Sequence, residues 1–247
     1  MTPIAESEVQ IWYRGTAVLD YEAIKSAGQH LSVSERVRRD QLYFREDRRD
    51  YVIAHDLLRR ALSRHAEISA CDWQFVTNKC GKPSIVGAHR SSLTFSLSHT
   101  REYVACAIAS NAPIGVDIER TDRALRVHEI ADLCFSEEEA ASLRQYSGEM
   151  SKIQFAELWT LKEAFLKALG VGLLGSLASV SFRLKEPTHI EFAGPSIVDP
   201  HEWHFALFEP DDNVRLGVAI QGIARPQLFV RRDQGDGSAL APIRVSK

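Results

Sequence analysis

The sequence predicts an α+β protein made of two similar halves, and two observations support this prediction. The order strand, helices, strand, hairpin occurs twice along the 247 residues, once in 1–112 and once in 113–223. Hydrophobic residues make up 45% of the chain and charged residues 26%, as in globular proteins with a substantial core. Two such halves are expected to pack together with a binding site at their seam. Residues 224–247 are polar, basic and turn-rich, and are expected to form a flexible tail.

The first half begins with an alternating, β-rich run at residues 9–13, which predicts a strand. Ser34 is placed to cap the arginine-rich helical stretch that follows, and a break near Glu46 would divide this stretch into two helices. Two further β-like runs, 93–97 and 103–109, are separated by a short turn and predict a hairpin.

The second half begins with a strand predicted at residues 114–118. Ser136 and Glu139 form a capping box that starts a helix. A second capping box at Ser151 is expected to start a long helix, which ends at Gly170. A final hairpin is predicted from two runs, residues 203–208 and 214–220.

Charge and cysteine usage exclude several classes of function. The formal net charge of -3 provides no overall field that would attract nucleic acid or an anionic membrane. The 4 cysteines show no C-x-x-C spacing, which argues against a zinc or redox motif. The chain lacks both a signal-peptide pattern and a run of 18 apolar residues. We therefore expect a cytoplasmic protein that binds neither nucleic acid nor membrane, and the internal repeat favours a monomer.

The first cluster with chemical potential is Gly115-Val-Asp117-Ile-Glu119. Alternate side chains of a strand share a face, so Asp117 and Glu119 project together. Two carboxylates on one face repel each other unless a cation lies between them, and a hard divalent ion such as magnesium suits oxygen ligands. The alternative is an acidic pair that faces solvent at the end of a strand.

The second cluster lies on the long predicted helix, in the sequence WTLKEAFLK from Trp159 to Lys167. Trp159, Glu163 and Lys167 are four residues apart and share one helix face. A carboxylate followed one turn later by an ammonium group is able to share a metal ion and a phosphate. A surface Glu–Lys pair is the alternative.

Two further features can bind phosphate. Ser98 and His99 lie at the predicted hairpin turn, and Lys82-Pro83 precede them in the sequence. Because adjacent strand residues face apart, the two side chains are poorly placed to act as a nucleophile and its base. Contact with a phosphate or a ribose fits them better. The alternative is a set of turn residues bonded to their own backbone. The arginine-rich helix suits a phosphate-bearing ligand or an acidic partner surface, and a solvated face is its alternative.

In combination, these clusters resemble the Sfp-type 4′-phosphopantetheinyl transferases. The resemblance runs through NKCGKP, FSLSHT, PIGVDIER, FSEEE and LWTLKEAFLKALGVGL, in that order, over residues 35 to 175. The most specific part is a G-[VI]-D-[IL]-E motif followed about 40 residues later by W-x-x-K-E-[AS]-x-x-K. The resemblance implies the family's fold, two pseudosymmetric α/β halves with the active site at their interface.

The family's residue roles, carried over by position, are expectations for this chain. Asp117, Glu119 and Glu163 would hold Mg²⁺ (Mn²⁺ is an alternative), and Glu163 would also act as the general base. Lys167 would be catalytic and contact the coenzyme A pyrophosphate. The other expected coenzyme A contacts are Arg38, Arg45, Lys82, Pro83, Ser98, His99 and Lys162. The register of the two arginines is open, because Glu46 and Tyr51 stand where relatives often have basic or small residues.

The implied reaction moves the phosphopantetheine arm of coenzyme A onto a serine of an apo acyl- or peptidyl-carrier protein and releases 3′,5′-ADP. A magnesium-dependent nucleotide phosphohydrolase would use the same carboxylates with water as the nucleophile. A non-catalytic module that binds carrier proteins is a second alternative. Nucleic-acid binding through the arginine helix is a third, and the ordinary pI disfavours it.

Overall fold

The computed structural model describes residues 3–86, 92–123, 126–171, 177–185, 189–195, 198–233, 239–240 and 244–246. Its α-helices are α1 (Tyr21–Gly28), α2 (Val33–Gln41), α3 (Arg45–Ser63), α4 (Val127–Cys134), α5 (Glu137–Leu143) and α6 (Gly148–Leu169). Its strands are β1 (Glu8–Gly15), β2 (Phe75–Thr77), β3 (Pro83–Ile85), β4 (Leu93–Thr100), β5 (Tyr103–Ser110), β6 (Ile114–Arg120), β7 (Ser181–Lys185), β8 (His189–Ala193), β9 (Trp203–Asp211), β10 (Val214–Gln221), β11 (Gln227–Arg232), β12 (Ala239–Leu240) and β13 (Arg244–Ser246).

The strands of the described ranges form two large sheets and one small hairpin. The first sheet has the order β12-β11-β1-β5-β4, and the second has the order β6-β10-β9-β13-β8-β7, while β2 pairs with β3. Helix α3 packs its apolar stripe on the first sheet, and α6 packs on the second. This confirms the predicted α+β class. The expected boundary between residues 112 and 113 lies between β5 and β6, which belong to different sheets.

A third apolar cluster joins the two sheets. It packs Val9 and Ile11 of the first sheet with Val116 and Ile118 of the second, and all four side chains are fully buried. The two halves are therefore held together by apolar burial, which keeps β4 beside β6. None of the helices in the described ranges has the length and apolar character needed to cross a bilayer.

The segment after residue 223 differs from the expected flexible tail. Strand β11 pairs in parallel with β1, and β13 lies between β8 and β9. Asp233 is 5% exposed and accepts hydrogen bonds from Arg14 and Arg60. The edge of β1 opposite β5 has backbone groups that need partners, and β11 supplies them. Composition missed this strand because its apolar run, from Leu228 to Val230, is short.

The helix starts were predicted unevenly. The capping box at Ser136 and the left-handed Gly170, with φ 72°, are confirmed. Helix α2 is capped by Ser32 rather than Ser34, in a box with Glu35. The box predicted at Ser151 is wrong, because α6 already begins at Gly148 and Ser151 donates to the Gly148 carbonyl.

Glu35 also anchors α2 to α3. Glu35 is 8% exposed, and its carboxylate accepts a hydrogen bond from Arg59 at 2.8 Å and bonds to His55 at 2.9 Å. Burial favours the neutral acid, but the hydrogen bond and charge of His55, the Ser32 backbone N–H and Arg59 together lower the pKa of Glu35 to about 2. The glutamate of the capping box is thus part of a buried charge cluster.

Candidate active site

Two glycines allow α6 to lie directly on the second sheet. A Cβ on Gly115 of β6 would lie 1.8 Å from the Ala164 carbonyl oxygen, and one on Gly217 of β10 would lie 2.7 Å from the α6 backbone. The face of β6 that carries Gly115 also carries Asp117 and Glu119, because alternate strand residues share a face. Close packing of helix on strand therefore brings side chains of α6 to Asp117.

The centre of the site is an ion pair between Asp117 and Lys167. The Lys167 ammonium donates to Asp117 Oδ1 at 2.6 Å and to Ser98 Oγ at 2.8 Å. Ser98 in turn donates to Asp117 Oδ1 at 2.7 Å. Asp117 is 6% exposed and Ser98 4%, whereas the Lys167 side chain keeps 29% of its surface exposed. The structure thus brings together one strand of the first sheet, one strand of the second, and α6.

The hydroxyl groups of β4 hold the edge of β6 in place. Strand β6 ends its sheet, so among the described residues no strand pairs with its outward N–H groups. Ser96 Oγ accepts from the Val116 N–H at 3.1 Å, and Ser98 Oγ accepts from the Ile118 N–H at 3.4 Å. Sequence reasoning missed Ser96 and also Thr100. The alternation of hydroxyl residues in FSLSHT could have predicted their common role, because it places all three on one strand face.

Glu163 and Asp117 each present a buried oxygen that has no hydrogen-bond partner in the described part of the chain: Glu163 Oε1 and Asp117 Oδ2. Burial and the nearby charge of Asp117 raise the pKa of Glu163, and Lys167 opposes this effect. Buried carboxylate oxygens without donors are costly unless a cation joins them. The donor chemistry of this pair therefore fits a hard divalent ion.

Glu119 is bonded to partners outside that pair. Its Oε1 accepts hydrogen bonds from Thr100 at 2.9 Å and from Arg123 at 2.7 Å. In the ranges that the structure describes, no three His, Cys, Asp or Glu side chains are grouped so that they could hold a metal ion. The predicted set of three metal-binding carboxylates remains a prediction, to which Glu163 and Asp117 contribute the unpaired oxygens.

Lys162 lies in the core instead of the site. It is fully buried, ion-pairs with Glu139 at 2.7 Å and donates to the carbonyls of Leu177 and Val180. The structure therefore does not bring Lys162 together with Asp117 and Lys167, and its predicted contact with coenzyme A remains a prediction. The helical spacing alone indicates this outcome, since residues 162 and 163 face different directions on α6.

Lys82 and its turn dock on the end of α6. The Lys82 ammonium donates to the Ala168 carbonyl at 2.7 Å, and Asn78 Nδ2 donates to the Gly170 carbonyl at 3.0 Å. These carbonyls have no partner within the helix, so both side chains cap its C-terminus. Burial lowers the pKa of Lys82 to about 8. Pro83 lines a neighbouring cavity of about 610 Å³ with aromatic walls.

An open cleft of about 1050 Å³ lies between the halves and contains His99 and Glu119. Partial burial of the imidazole and the charge of Lys167 lower the pKa of His99. The hairpin tip beyond His99 is fixed by Asp50 of α3, which is 2% exposed and accepts the Glu102 N–H at 3.0 Å. Glu102 has a positive φ of 70°. Sequence reasoning missed Asp50, because no local pattern shows that α3 reaches the tip of this hairpin.

Arg38 and Arg45 lie away from this cleft. Arg38 is exposed on α2 and donates to Gln41 at 3.5 Å. Arg45 lines a different cleft, between α1, α2 and α3. The structure therefore does not bring either arginine together with His99 or Lys167, and their predicted contact with a 3′-phosphate remains a prediction.

Comparison with known proteins now identifies the family. The model of the 4′-phosphopantetheinyl transferase superfamily matches residues 113–219, and the model of the 4′-phosphopantetheinyl transferase N-terminal region matches residues 20–111. The 4′-phosphopantetheinyl transferase HetI of Nostoc sp. is 31% identical over 196 residues, which cover 78% of this chain and 79% of that protein. The chain belongs to the 4′-phosphopantetheinyl transferase superfamily.

Other members of the 4′-phosphopantetheinyl transferase superfamily show similar coverage. The 4′-phosphopantetheinyl transferase Sfp of Bacillus subtilis is 30% identical over 188 residues, covering 76% of this chain and 81% of that protein. A solved holo-(acyl-carrier-protein) synthase from Bacillus anthracis, in complex with CoA, has a TM-score of 0.39 and 18% identity. The matched region covers 44% of this chain and 94% of the synthase chain. The predictions of the family and of an enzyme of this type are confirmed.

Proposed function

We propose that the chain transfers the 4′-phosphopantetheine arm of coenzyme A to a serine of an apo acyl- or peptidyl-carrier protein, with Mg²⁺ as its cofactor. The observation that carries this proposal is the cluster of Asp117, Glu163 and Lys167 at the seam. It combines two carboxylates that have unpaired buried oxygens with one partly exposed ammonium group. A diphosphate bound beside a divalent ion needs this combination of charges.

Lys167 is the group that would bind the diphosphate. In the free protein its ammonium is shared between Asp117 and Ser98. Its partial exposure allows it to turn toward a phosphate oxygen and to stabilise the negative charge that grows on the leaving 3′,5′-ADP. Ser98 keeps Asp117 oriented during this change, because its hydroxyl remains bonded to Oδ1.

Asp117 and Glu163 would hold the magnesium ion, with Glu119 as the third expected ligand. When bound, the ion would neutralise phosphate charge and act as a Lewis acid toward the transferred phosphoryl group. The unpaired oxygens Asp117 Oδ2 and Glu163 Oε1 support this assignment. Glu119 lines the open cleft, where it also pairs with Arg123.

Glu163 is the candidate general base. In the free protein, burial and the charge of Asp117 raise the pKa of Glu163, and the charge of a bound divalent ion would favour the carboxylate form that accepts a proton. During transfer the carrier serine oxygen forms a bond to the β-phosphorus, and the bond from this phosphorus to the bridging oxygen breaks. The serine proton passes to Glu163, and 3′,5′-ADP leaves as the anion.

The adenosine end of coenzyme A would lie toward the first half. The cavity beside Pro83 has aromatic and apolar walls, and His99 lies at the mouth of the neighbouring cleft. Lys82 adjoins Pro83 and donates to the end of α6. Its pKa is lowered to about 8, and phosphate binding would raise it.

The test is transfer to purified apo carrier proteins. The protein is incubated with coenzyme A, Mg²⁺ and each of several apo carriers, and intact mass spectrometry reports the gain of phosphopantetheine. We expect Glu163→Gln to lower the rate by about 10² to 10³ or more, the cost of losing one charge-stabilising group. Glu149→Gln, an exposed glutamate on the same helix, is the matched control and should transfer normally.

Two results would contradict the proposal. One is the absence of transfer to every carrier by protein that binds coenzyme A. The other is release of 3′,5′-ADP from coenzyme A without any carrier, which would indicate a phosphohydrolase with water as the nucleophile.

A further inference from the structure

A second cleft, of about 630 Å³, lies between α1, α2 and the start of α3. We call it the arginine cleft, because its walls carry six cationic side chains: Lys25, Arg36, Arg39, Arg45, Arg48 and Arg49. Its floor is apolar and includes Ile24 and Val52. Among the described residues that line it there is no carboxylate.

Much of the positive charge in the arginine cleft is not balanced internally. Three of the six cations have an acidic partner: Lys25 pairs with Glu22, Arg39 with its neighbour Asp40, and Arg49 with Asp50. Within the ranges that the structure describes, Arg36, Arg45 and Arg48 form no salt bridge; Arg36 and Arg48 donate to backbone carbonyls instead. A carbonyl oxygen accepts a hydrogen bond from a guanidinium group but does not neutralise its positive charge. This surface is therefore positive, although the chain carries a net charge of -3.

Exposed apolar side chains lie on the helices around the cleft and in the turn that joins α2 to α3, and Tyr21 lines the cleft itself. Tyr21, at the rim of the cleft, is 73% exposed, and on α2 Val33 is 78% and Val37 is 53% exposed. Tyr43, in the turn between α2 and α3, is 86% exposed. Arginine and aromatic side chains around an apolar floor are the composition of protein–protein interfaces.

We infer that the arginine cleft docks an acidic amphipathic helix of a protein partner. The apolar side of such a helix would cover Ile24 and Val52, and its carboxylates would meet guanidinium groups, which bind carboxylates through two parallel hydrogen bonds. Glu46 and Asp47, on the first turn of α3, face the other cleft. They border the positive charge on the α3 side, and the apolar floor favours a helix with an apolar face over a purely polyanionic ligand.

This docking does not depend on the transfer reaction. The catalytic side chains Asp117, Glu163 and Lys167 do not line the arginine cleft. Arg45, a predicted coenzyme A contact, does line it, and the variants used below leave Arg45 unchanged. Partner binding and transfer are therefore expected to fail separately when each site is altered.

The probe is a fluorescein-labelled synthetic helix with glutamates on one face and leucines on the other. Its binding to the full chain is followed by fluorescence anisotropy, and we expect saturable binding. Arg36→Glu combined with Arg39→Glu should weaken it at least about tenfold, which corresponds to about 1.4 kcal/mol. The charge-matched control combines Arg126→Glu and Arg144→Glu, two arginines of the second half with surface ion pairs, and should bind as wild type does.

A second measurement uses the wild-type chain alone. Hydrogen exchange with and without the peptide should show protection in α1, α2 and the start of α3. The inference is overturned if the peptide does not bind, if a scrambled peptide of equal composition binds as well, or if the protection lies elsewhere. It is also overturned if inorganic triphosphate or anionic phospholipid vesicles displace the peptide from the cleft at lower concentrations than an unlabelled copy of the peptide does.

Discussion

Replacing Gly115 with alanine tests whether close packing of α6 on β6 builds the site. The added Cβ would lie 1.8 Å from the Ala164 carbonyl oxygen and 2.7 Å from the Ala168 nitrogen. Both are backbone atoms of α6, so no side-chain rotation relieves the overlap. Ordinary contact begins at 3.4 Å, so the helix must retreat locally by roughly 1.6 Å. A shift of this size would lengthen the 2.6 Å contact between Lys167 and Asp117 beyond hydrogen-bond distance.

Two effects are expected from this retreat. Overpacking in a core costs about 1–3 kcal/mol of unfolding free energy. A displacement of about 1 Å in a catalytic group lowers the rate by about 10². Gly115→Ala should therefore lose more activity than its stability loss explains, because the folded fraction still carries a misplaced Lys167.

The assay pairs urea unfolding with the transfer rate at a temperature where the variant is folded. Gly15→Ala is the control, because its Cβ would lie 3.7 Å from a Tyr103 ring carbon, an ordinary contact. A Gly115→Ala protein with the stability and rate of wild type would refute the proposed role of helix packing.

Three further perturbations test other parts of the structure. Lys162→Met should cost about 3–5 kcal/mol in urea unfolding, because Glu139 would remain buried and unpaired; wild-type stability would contradict this. The pKa of Glu35 is lowered to about 2 from 4.5, so the carboxylate contributes stability above about pH 4.5 that is lost as the pH falls toward 2. Wild type should therefore lose about 2–3 kcal/mol more than Glu35→Gln between pH 7 and pH 2.5, and equal losses would show that the cluster is not coupled to folding. Asp233→Asn should lower the unfolding free energy by about 3 kcal/mol, since Arg14 and Arg60 lose a buried counter-charge. An unchanged melting temperature would show that Asp233 does not anchor the C-terminal segment.

Local patterns were sufficient for much of the fold. The strands β1, β4, β5 and β6 and the capping box at Ser136 follow from alternation and spacing, which are properties of adjacent residues. The same patterns predicted that Asp117 and Glu119 share a face, because strand geometry fixes this relation. They did not predict the hydrogen bond from Thr100 to Glu119, since that depends on which strand lies beside β6.

The parts that local patterns missed depend on contacts between distant segments. The pairing of β1 with β11 joins residues more than 200 positions apart, and no short-range pattern encodes it. Lys162 and Lys167 belong to one motif on one helix, yet one ammonium is fully buried and the other is partly exposed. That difference follows from the rotation of α6 on the sheet, which Gly115 and Gly217 set by their lack of a side chain.

The central claim, that Asp117 and Glu163 hold a divalent ion beside the bound diphosphate, is tested most directly by counting Mn²⁺ with electron paramagnetic resonance. In the presence of coenzyme A, wild type should bind one Mn²⁺ per chain. Asp117→Asn and Glu163→Gln should each lose it, while Glu129→Gln, at an exposed position, should retain it. Undiminished Mn²⁺ binding by both site variants would contradict the account.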